Sequence, residues 1–156
     1  MALRPDRNIV QGDTEVSYFM NETGERGIVV VHSSPSVSGA GMDSSGNVVA
    51  IPTGSDNGRP AGVLLNDQVN DNLTKTHRNW HKDTMQVYGK CTVATRGWVV
   101  TDQIASTASL VIGQAVYYGA DGKIDSSGGH VVGVCRSTKD ADGFAKIEIN
   151  MVAPTP

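Results

Sequence analysis

The sequence predicts an all-β fold, a compact and turn-rich β-barrel or β-sandwich that carries an extended N-terminal arm. Apolar runs are short and rich in β-branched residues, as in GIVVV at residues 27–31. Turn signals made of Gly, Ser, Asn, Asp and Pro recur about every 8 to 12 residues, a spacing typical of all-β proteins. Residues 144–151 alternate between a polar face and an apolar face that includes Ile147 and Ile149, as expected of a half-buried strand.

The first half of the chain predicts several short strands separated by turn-forming segments. The run GIVVVHSS ends at Pro35, and NVVAIP ends at Pro52. The turn-rich loop TGSDNGRP then leads into AGVLL, a third apolar run. Residues 66–84 are polar and lack a 3.6-residue period, which predicts a surface loop or one short helix. Alternation returns in MQVYGKCTVAT, at residues 85–95.

The second half continues this pattern with GWVVT, QAVYY, GKID, HVVGVC and GFAKIEINM as predicted strands. DQIASTASLVIG, at residues 102–113, has room for a helical turn, and residues 119–122 form the sharpest turn of the chain. Gly62 and Gly133 each stand inside an apolar strand. A missing side chain at such a position favours a β-bulge or the close approach of a neighbouring backbone.

Composition excludes several classes of function. The net charge is −3, and the 13 Lys and Arg are dispersed without a basic block, so no nucleic-acid binding is expected. No apolar run approaches the roughly 20 residues that span a bilayer, and the N-terminus lacks an apolar signal core. We therefore expect no membrane association, and synthesis in the cytoplasm. Cys91 and Cys135 are expected to be reduced core residues there, although a disulfide between them remains open.

Reactive side chains form no recognisable catalytic or metal-binding motif. His77 and His81 are four residues apart, as in some zinc-binding helices, but Arg78 stands where a metalloprotease has Glu. Aspartates such as Asp125 and Asp140 lie in turns, where Asp is favoured by its backbone preferences alone. We therefore predict a non-enzymatic protein without a metal or a cofactor.

The N-terminal residues 1–26 differ from the rest because they are polar and contain only one apolar cluster, at residues 18–20. Such a segment cannot form a core alone, so it is either a frayed tail or an arm that becomes ordered on another surface, and we interpret it as an arm. Residues 27–156 then form the β-rich domain.

Aromatic residues are the remaining candidates for a contact surface. Trp80, Trp98 and Tyr118 are predicted at a subunit interface, since Trp and Tyr are favoured where one end is apolar and the other is wet. Tyr117 and Tyr118 are adjacent on a predicted strand, so their rings point to opposite faces and one ring leaves the core. An ordinary half-exposed tyrosine at a sheet rim is the alternative.

A resemblance to a known family is carried by the order of five segments: RPAGVLLND, MQVYGKCTV, LVIGQAVYYGADGKID, VVGVCRST and GFAKIEINM. Together they resemble the capsid decoration, or cement, proteins of tailed bacteriophages, over about residues 27–153. The resemblance implies a homotrimer on the outer capsid surface of the virion, at three-fold and local three-fold positions. Such proteins bind the major capsid protein after the shell expands and stabilise the contacts between its subunits.

The resemblance also implies a role for the arm, because family members often grip the capsid with an extended N-terminal segment. The expected capsid contacts are Arg4, Arg7, Ile9, Val10, Tyr18, Phe19 and Met20. The arginines, together with Arg26, would form ion pairs at the rim of the contact. The segment EVSYFM suits the addition of a strand to a capsid edge, and a clasp on a sister subunit remains open.

Two other functions remain open. One is a receptor-binding or polysaccharide-binding β domain associated with the tail, in which exposed aromatic residues would line a sugar groove. The other is a small trimeric hydrolase, which would need Asp125 and its hairpin in a shared cleft.

Overall fold

The computed structural model describes residues 14–33, 47–54, 58–65, 84–85 and 89–151, and this part of the chain confirms the predicted all-β fold. It contains a single 3₁₀ turn, at Ala120–Gly122, and no helix in it is long and apolar enough to cross a membrane. The strands are β1 (Thr14–Met20), β2 (Gly24–Glu25), β3 (Val29–Ser33), β4 (Val48–Ala50), β5 (Pro60–Leu65), β6 (Thr84–Met85), β7 (Lys90–Ala94), β8 (Arg96–Thr101), β9 (Ala115–Tyr118), β10 (Ile124–Asp125), β11 (Val131–Cys135) and β12 (Ala145–Asn150).

The strands form a closed barrel and an open sheet. The barrel has the order β1-β4-β3-β5-β7, and β1 closes it by pairing in parallel with β4 and antiparallel with β7. The open sheet has the order β10-β9-β11-β12-β8, with all neighbours antiparallel. A small ribbon joins β2 to β6. The fold thus combines the barrel and the layered packing that the sequence left as alternatives.

Strand β3 connects the two hydrophobic cores. Val30 belongs to the core inside the barrel, with Met20 and Leu64. Val29 and Val31, on the opposite face of β3, pack against the open sheet. A strand buried on both faces is a continuous apolar run rather than an alternating one, which explains the three consecutive valines. The open sheet contributes to this second core Val99, Val116, Tyr118, Ile124, Val132, Cys135, Ala145, Ile147 and Ile149.

The strongest predictions from the sequence are confirmed in the open sheet. In β12, Ala145, Ile147 and Ile149 are buried, whereas Lys146 and Glu148 are partly exposed. Both cysteines are buried and not joined by a disulfide, and they lie in different cores, Cys91 in the barrel and Cys135 against the open sheet. The expectation of reduced core cysteines is therefore confirmed.

The two strand glycines occupy points of close backbone approach, as predicted. A Cβ at Gly62 would lie 2.6 Å from the carbonyl oxygen of Ala94. A Cβ at Gly133 would overlap the carbonyl oxygen of Glu148. Both glycines adjoin a register shift, in the β3–β5 pair and in the β11–β9 pair respectively. Glycine is required at both positions because a side chain would push the neighbouring strand away.

The turns agree with the prediction in one segment and differ in another. The 3₁₀ turn holds Asp121 and Gly122 at φ values of 64° and 69°, and the Asp121 N–H donates to the carbonyl of Pro52 in the barrel layer. Residues 102–113, which had room for a helical turn, instead contain isolated hydrogen-bonded turns, such as Ala108 N–H to Ala105 carbonyl. Nearly all of residues 66–84 lie outside the described part of the chain.

The barrel includes residues that the sequence assigned to the arm. β1 and β2 both precede the predicted boundary after Arg26, and Met20 is fully buried in the barrel core. Within the described residues, the barrel therefore starts at Thr14. The reason is long-range: β1 lies in a mostly polar N-terminal segment and becomes part of the barrel by pairing with β7 and β4.

Substitution of the strand glycines should distinguish steric conflict from backbone strain. We expect Gly133→Ala to lower the free energy of unfolding by about 3 kcal/mol, because the new methyl group meets the β12 backbone. Gly113→Ala is the matched control, since its φ is +85° but no heavy atom lies within 4 Å of the new Cβ. It should cost only about 1 kcal/mol. Urea unfolding measures both, and equal losses would contradict the close-approach interpretation.

Candidate functional site

The side of the open sheet that is turned away from the barrel is called here the outer face. Its side chains alternate along each strand with the buried ones of the second core. They come from all four long strands of the sheet: Arg96, Trp98, Val100, Ala115, Tyr117, Val131, Val134, Lys146, Glu148 and Asn150.

Trp98 lies in a cluster of charged side chains on the outer face. The Lys146 Nζ is 4.9 Å from the centre of the indole ring, and the Arg136 guanidinium carbon is 5.6 Å from it. Arg136 also pairs with Glu148, which is opposite Trp98 in the β12–β8 register. Cation–π contacts at such exposed sites contribute roughly 0.5–1 kcal/mol each. The half-exposed ring is thus flanked by two cations, which is compatible with the interface role that we predicted for it.

The predicted interface role of Tyr118 requires a correction. Its ring is fully buried, its hydroxyl donates to the Gly58 carbonyl at 2.9 Å, and it stacks on His130 with ring centres 5.9 Å apart. The adjacent Tyr117 is the half-exposed ring on the outer face. The alternation of the two tyrosines was predicted correctly, but the register of β9 places Val116 and Tyr118 on the inner side. Tyr117 thus replaces Tyr118 as a surface candidate.

The predicted arm residues are found in different environments. Tyr18 and Phe19 are half-buried on β1, and Tyr18 packs against His32 with ring centres 5.5 Å apart. Met20 is fully buried, so its side chain is a core residue of its own subunit rather than a surface contact. The remaining predicted contacts, Arg4, Arg7, Ile9, Val10 and Trp80, lie outside the described residues, as do His77 and His81.

One surface feature was missed by the sequence analysis. Val111 and Ile112, which we call the apolar turn, are 47% and 61% exposed. Their backbone is fixed, because the Gly113 N–H donates to the Cys135 carbonyl at 2.8 Å and the Gln114 carbonyl accepts from Cys135 at 2.9 Å. Adjacent large apolar side chains held in solvent are typical of contact surfaces. The signal was the run LVIG, which lacks the alternation of its neighbours and was assigned to a helical turn.

Potential metal ligands do not cluster in the described part of the chain. No cluster of three His, Cys, Asp or Glu there could hold a metal ion. Asp125, which a hydrolase would need, accepts a hydrogen bond from the backbone N–H of Ser126 at 2.6 Å, as turn-forming aspartates do.

His32 has an altered titration at one end of the barrel. Partial burial of its ring and the nearby positive charge of Arg59 both lower the pKa of His32 below its usual value of 6.5. Burial is the larger cause. The imidazole is therefore held in its neutral form more strongly in the folded protein than in the unfolded chain.

The described residues form an all-β protein with partly exposed aromatic side chains on the outer face and exposed apolar side chains at the apolar turn. The chain matches the family model described as structural cement protein (E217 gp24/Pam3 gp6) over residues 7–150, and it belongs to that family. A search of curated proteins finds no match. The resemblance to phage cement proteins is thereby confirmed, and membership implies a location in the virion capsid and binding to capsid proteins.

The His32 environment predicts a small dependence of stability on pH. Between the usual pKa of 6.5 and the lower folded value, the unfolded chain binds more protons, so stability falls as the pH decreases through this window. In His32→Gln, the stability lost between pH 7.5 and pH 5 should be smaller than in wild type. Arg59→Gln should reduce this loss by a smaller amount, because burial is the larger cause of the lowered pKa. Urea unfolding at the two pH values measures this. Identical losses in wild type and His32→Gln would contradict the assignment.

Proposed function

We propose that this cement protein binds the outer surface of the mature phage head as a homotrimer and stabilises contacts between neighbouring major capsid subunits. The observation that carries the proposal is the family match, which extends over nearly the whole chain. In this role the protein acts through binding and shape, without catalysis. It would be made in the host cytoplasm and would join the head after expansion.

The outer face and the apolar turn supply suitable contact chemistry. Trp98 and Tyr117 offer large, partly exposed rings, and Val111 and Ile112 offer apolar surface on a backbone that is fixed to β11. Contacts of this kind bury aromatic and aliphatic side chains at the centre of an interface, while charges such as Lys146 remain at the rim. A single contact can be weak, because three linked copies raise the effective concentration for the second and third attachments.

Strand β1 gives a mechanical reason to place the capsid-binding arm just before it. The Phe19 and Asn21 N–H groups donate to carbonyls on the β4 side at 2.9 Å, and the Met20 N–H donates to Gly89 on the β7 side at 3.1 Å. A pull along β1 therefore loads several hydrogen bonds together on both of its edges, because ladder bonds run across the strands. Burial of Met20 adds resistance to sliding.

The proposed arm is accordingly residues 1–13, ahead of β1, rather than the longer segment first predicted. Ile9 and Val10 are its apolar contacts, and Arg4 and Arg7 form ion pairs at the rim. Tyr18 and Phe19, half-buried on β1, would extend this contact onto the body of the subunit.

Removal of residues 1–13 should separate attachment from folding. We expect the truncated protein to unfold at the same urea concentration as the full chain, because β1 is intact. Its affinity for expanded heads stripped of cement protein should fall by at least about tenfold. Removal of residues 1–26 is the matched contrast, and it should unfold the barrel because it deletes β1. Unchanged attachment of the shorter truncation would contradict the role of the arm.

Point substitutions in the arm should separate the contribution of its apolar contacts from that of its charges. Ile9→Ser with Val10→Ser should mainly speed dissociation from heads, whereas Arg4→Gln with Arg7→Gln should mainly slow association and reduce its salt dependence. Surface-immobilised heads allow both rates to be measured. Sedimentation of the free protein tests the trimer. Binding to host cells or polysaccharide, with none to heads, would support the tail-associated alternative instead.

A further inference from the structure

Strand β8 is the last strand of the open sheet, and one of its edges is unpaired in the described part of the chain. It bonds to β12 on one side, where the Thr95 carbonyl also accepts from the Met151 N–H at 3.0 Å. Antiparallel bonding alternates, so Gly97 and Val99 direct their backbone groups towards β12. The backbone N–H and C=O of Trp98 and Val100 then point away from the sheet. No hydrogen bond found among the described residues uses them.

In the described part of the chain, the open edge lacks most of the devices that usually protect such strands. Natural proteins shorten edge strands, or place proline, lysine or a bulge in them. β8 has six residues, contains neither proline nor lysine, and pairs with β12 without a register shift, but it includes the charged Arg96 and a glycine, Gly97, at a φ of 124°. The opposite edge of the same sheet is different, because β10 has only two residues and Ile124 is already bridged to Ile104. One edge is therefore protected and the other is available for pairing.

The side chains along β8 are complementary to an antiparallel copy of themselves. A two-fold axis at Val99 places Trp98 opposite Val100 of the second copy and Arg96 opposite Asp102 of the second copy. Arg96 is exposed, and Asp102, the half-exposed residue just after β8, has a carboxylate that also accepts a hydrogen bond from the Gln103 Nε2 at 3.2 Å. Opposite charges at facing positions stabilise a strand pair, and aromatic rings pair well with β-branched residues.

Neighbouring registers lack this complementarity. An axis at Trp98 stacks the two tryptophans and places Arg96 opposite Val100. An axis at Val100 places Trp98 opposite Asp102 and Arg96 opposite Ile104. Only the register at Val99 combines two charge pairs with two aromatic–aliphatic pairs.

We propose that β8 pairs with β8 of a second copy about a two-fold axis at Val99, so that two open sheets join into one. About four main-chain hydrogen bonds would form, two at each of the two facing Trp98–Val100 pairs, because Asp102 lies just after β8 and its carbonyl already accepts from the Ile104 N–H at 2.7 Å. The contact is isologous, since each copy supplies the same surface. It is separate from the proposed trimer, because a two-fold contact can link neighbouring trimers on an icosahedral shell. It does not require the capsid-binding proposal to be correct, since the pairing can be tested on the purified protein alone.

Charge-reversal variants test the pairing directly. Arg96→Glu and Asp102→Lys should each weaken pairwise association by at least about tenfold, because each places like charges opposite each other twice. An equimolar mixture of the two variants should associate like wild type, since every facing pair in the mixed dimer is then opposite in charge. The double variant should also recover. Sedimentation velocity over a range of concentrations measures how much of the protein converts from its smallest species to one of twice that mass.

The mixing experiment has a matched control at the protected edge. Lys123→Glu changes a charge of an exposed residue beside β10 and should leave association unchanged. Failure of the mixture to recover, while each single variant still folds by circular dichroism, would overturn the proposal. A trimer that binds heads but shows no pairing would leave the proposed function intact and remove only this inference.

A single cysteine provides an independent geometric test. In the proposed register Val99 faces Val99 of the second copy at a non-hydrogen-bonded position, where Cα atoms are about 4.5 Å apart and a disulfide can form. Val99→Cys should therefore give a disulfide-linked dimer on mild oxidation. Val116→Cys, buried on an interior strand, is the control and should not cross-link. Native Cys91 and Cys135 are buried and contribute little background. Equal cross-linking of both variants would contradict the register.

Discussion

The structure depends on β3 being buried on both of its faces. Val30 packs inside the barrel, while Val29 and Val31 pack against the inner side of the open sheet. Burial of each such side chain is worth roughly 1.5–3 kcal/mol, and this one short strand serves both cores at once. Because the sheet is held by its inner side, its outer face is left free. The position of the candidate contact surface thus follows from the packing of one strand.

Many strands of the fold could be predicted because the sequence patterns that indicate them lie within single strands. The alternation in β12 and the need for glycine at Gly62 and Gly133 depend on side-chain period and backbone approach, which a single strand reveals. The role of β1 could not be predicted in this way, since closing a barrel is a long-range event and the flanking residues are polar. The choice between Tyr117 and Tyr118 likewise depends on which face of β9 meets the second core.

The candidate surface was only partly visible in the sequence for the same reason. Trp98 could be named from its residue type, but its cation partners come from β12 and from the residue after β11. The apolar turn carries no period of its own, and its exposure results from backbone bonds to Cys135 that fix Gly113 and Gln114. Composition thus identifies a contact protein, whereas the place of contact is set by cross-strand register.

The difference between the two edges of the open sheet limits how copies can assemble through it. A sheet with two free edges can add copies without end, which leads to fibres. Among the described residues, β10 is short and bridged, so β8 is the edge of the open sheet that offers unpaired main-chain groups. Pairing two β8 strands uses up both open edges and leaves β10 at each end of the joined sheet. The association through this surface therefore stops at two copies, and any larger assembly must use a different surface, such as the outer face or the apolar turn.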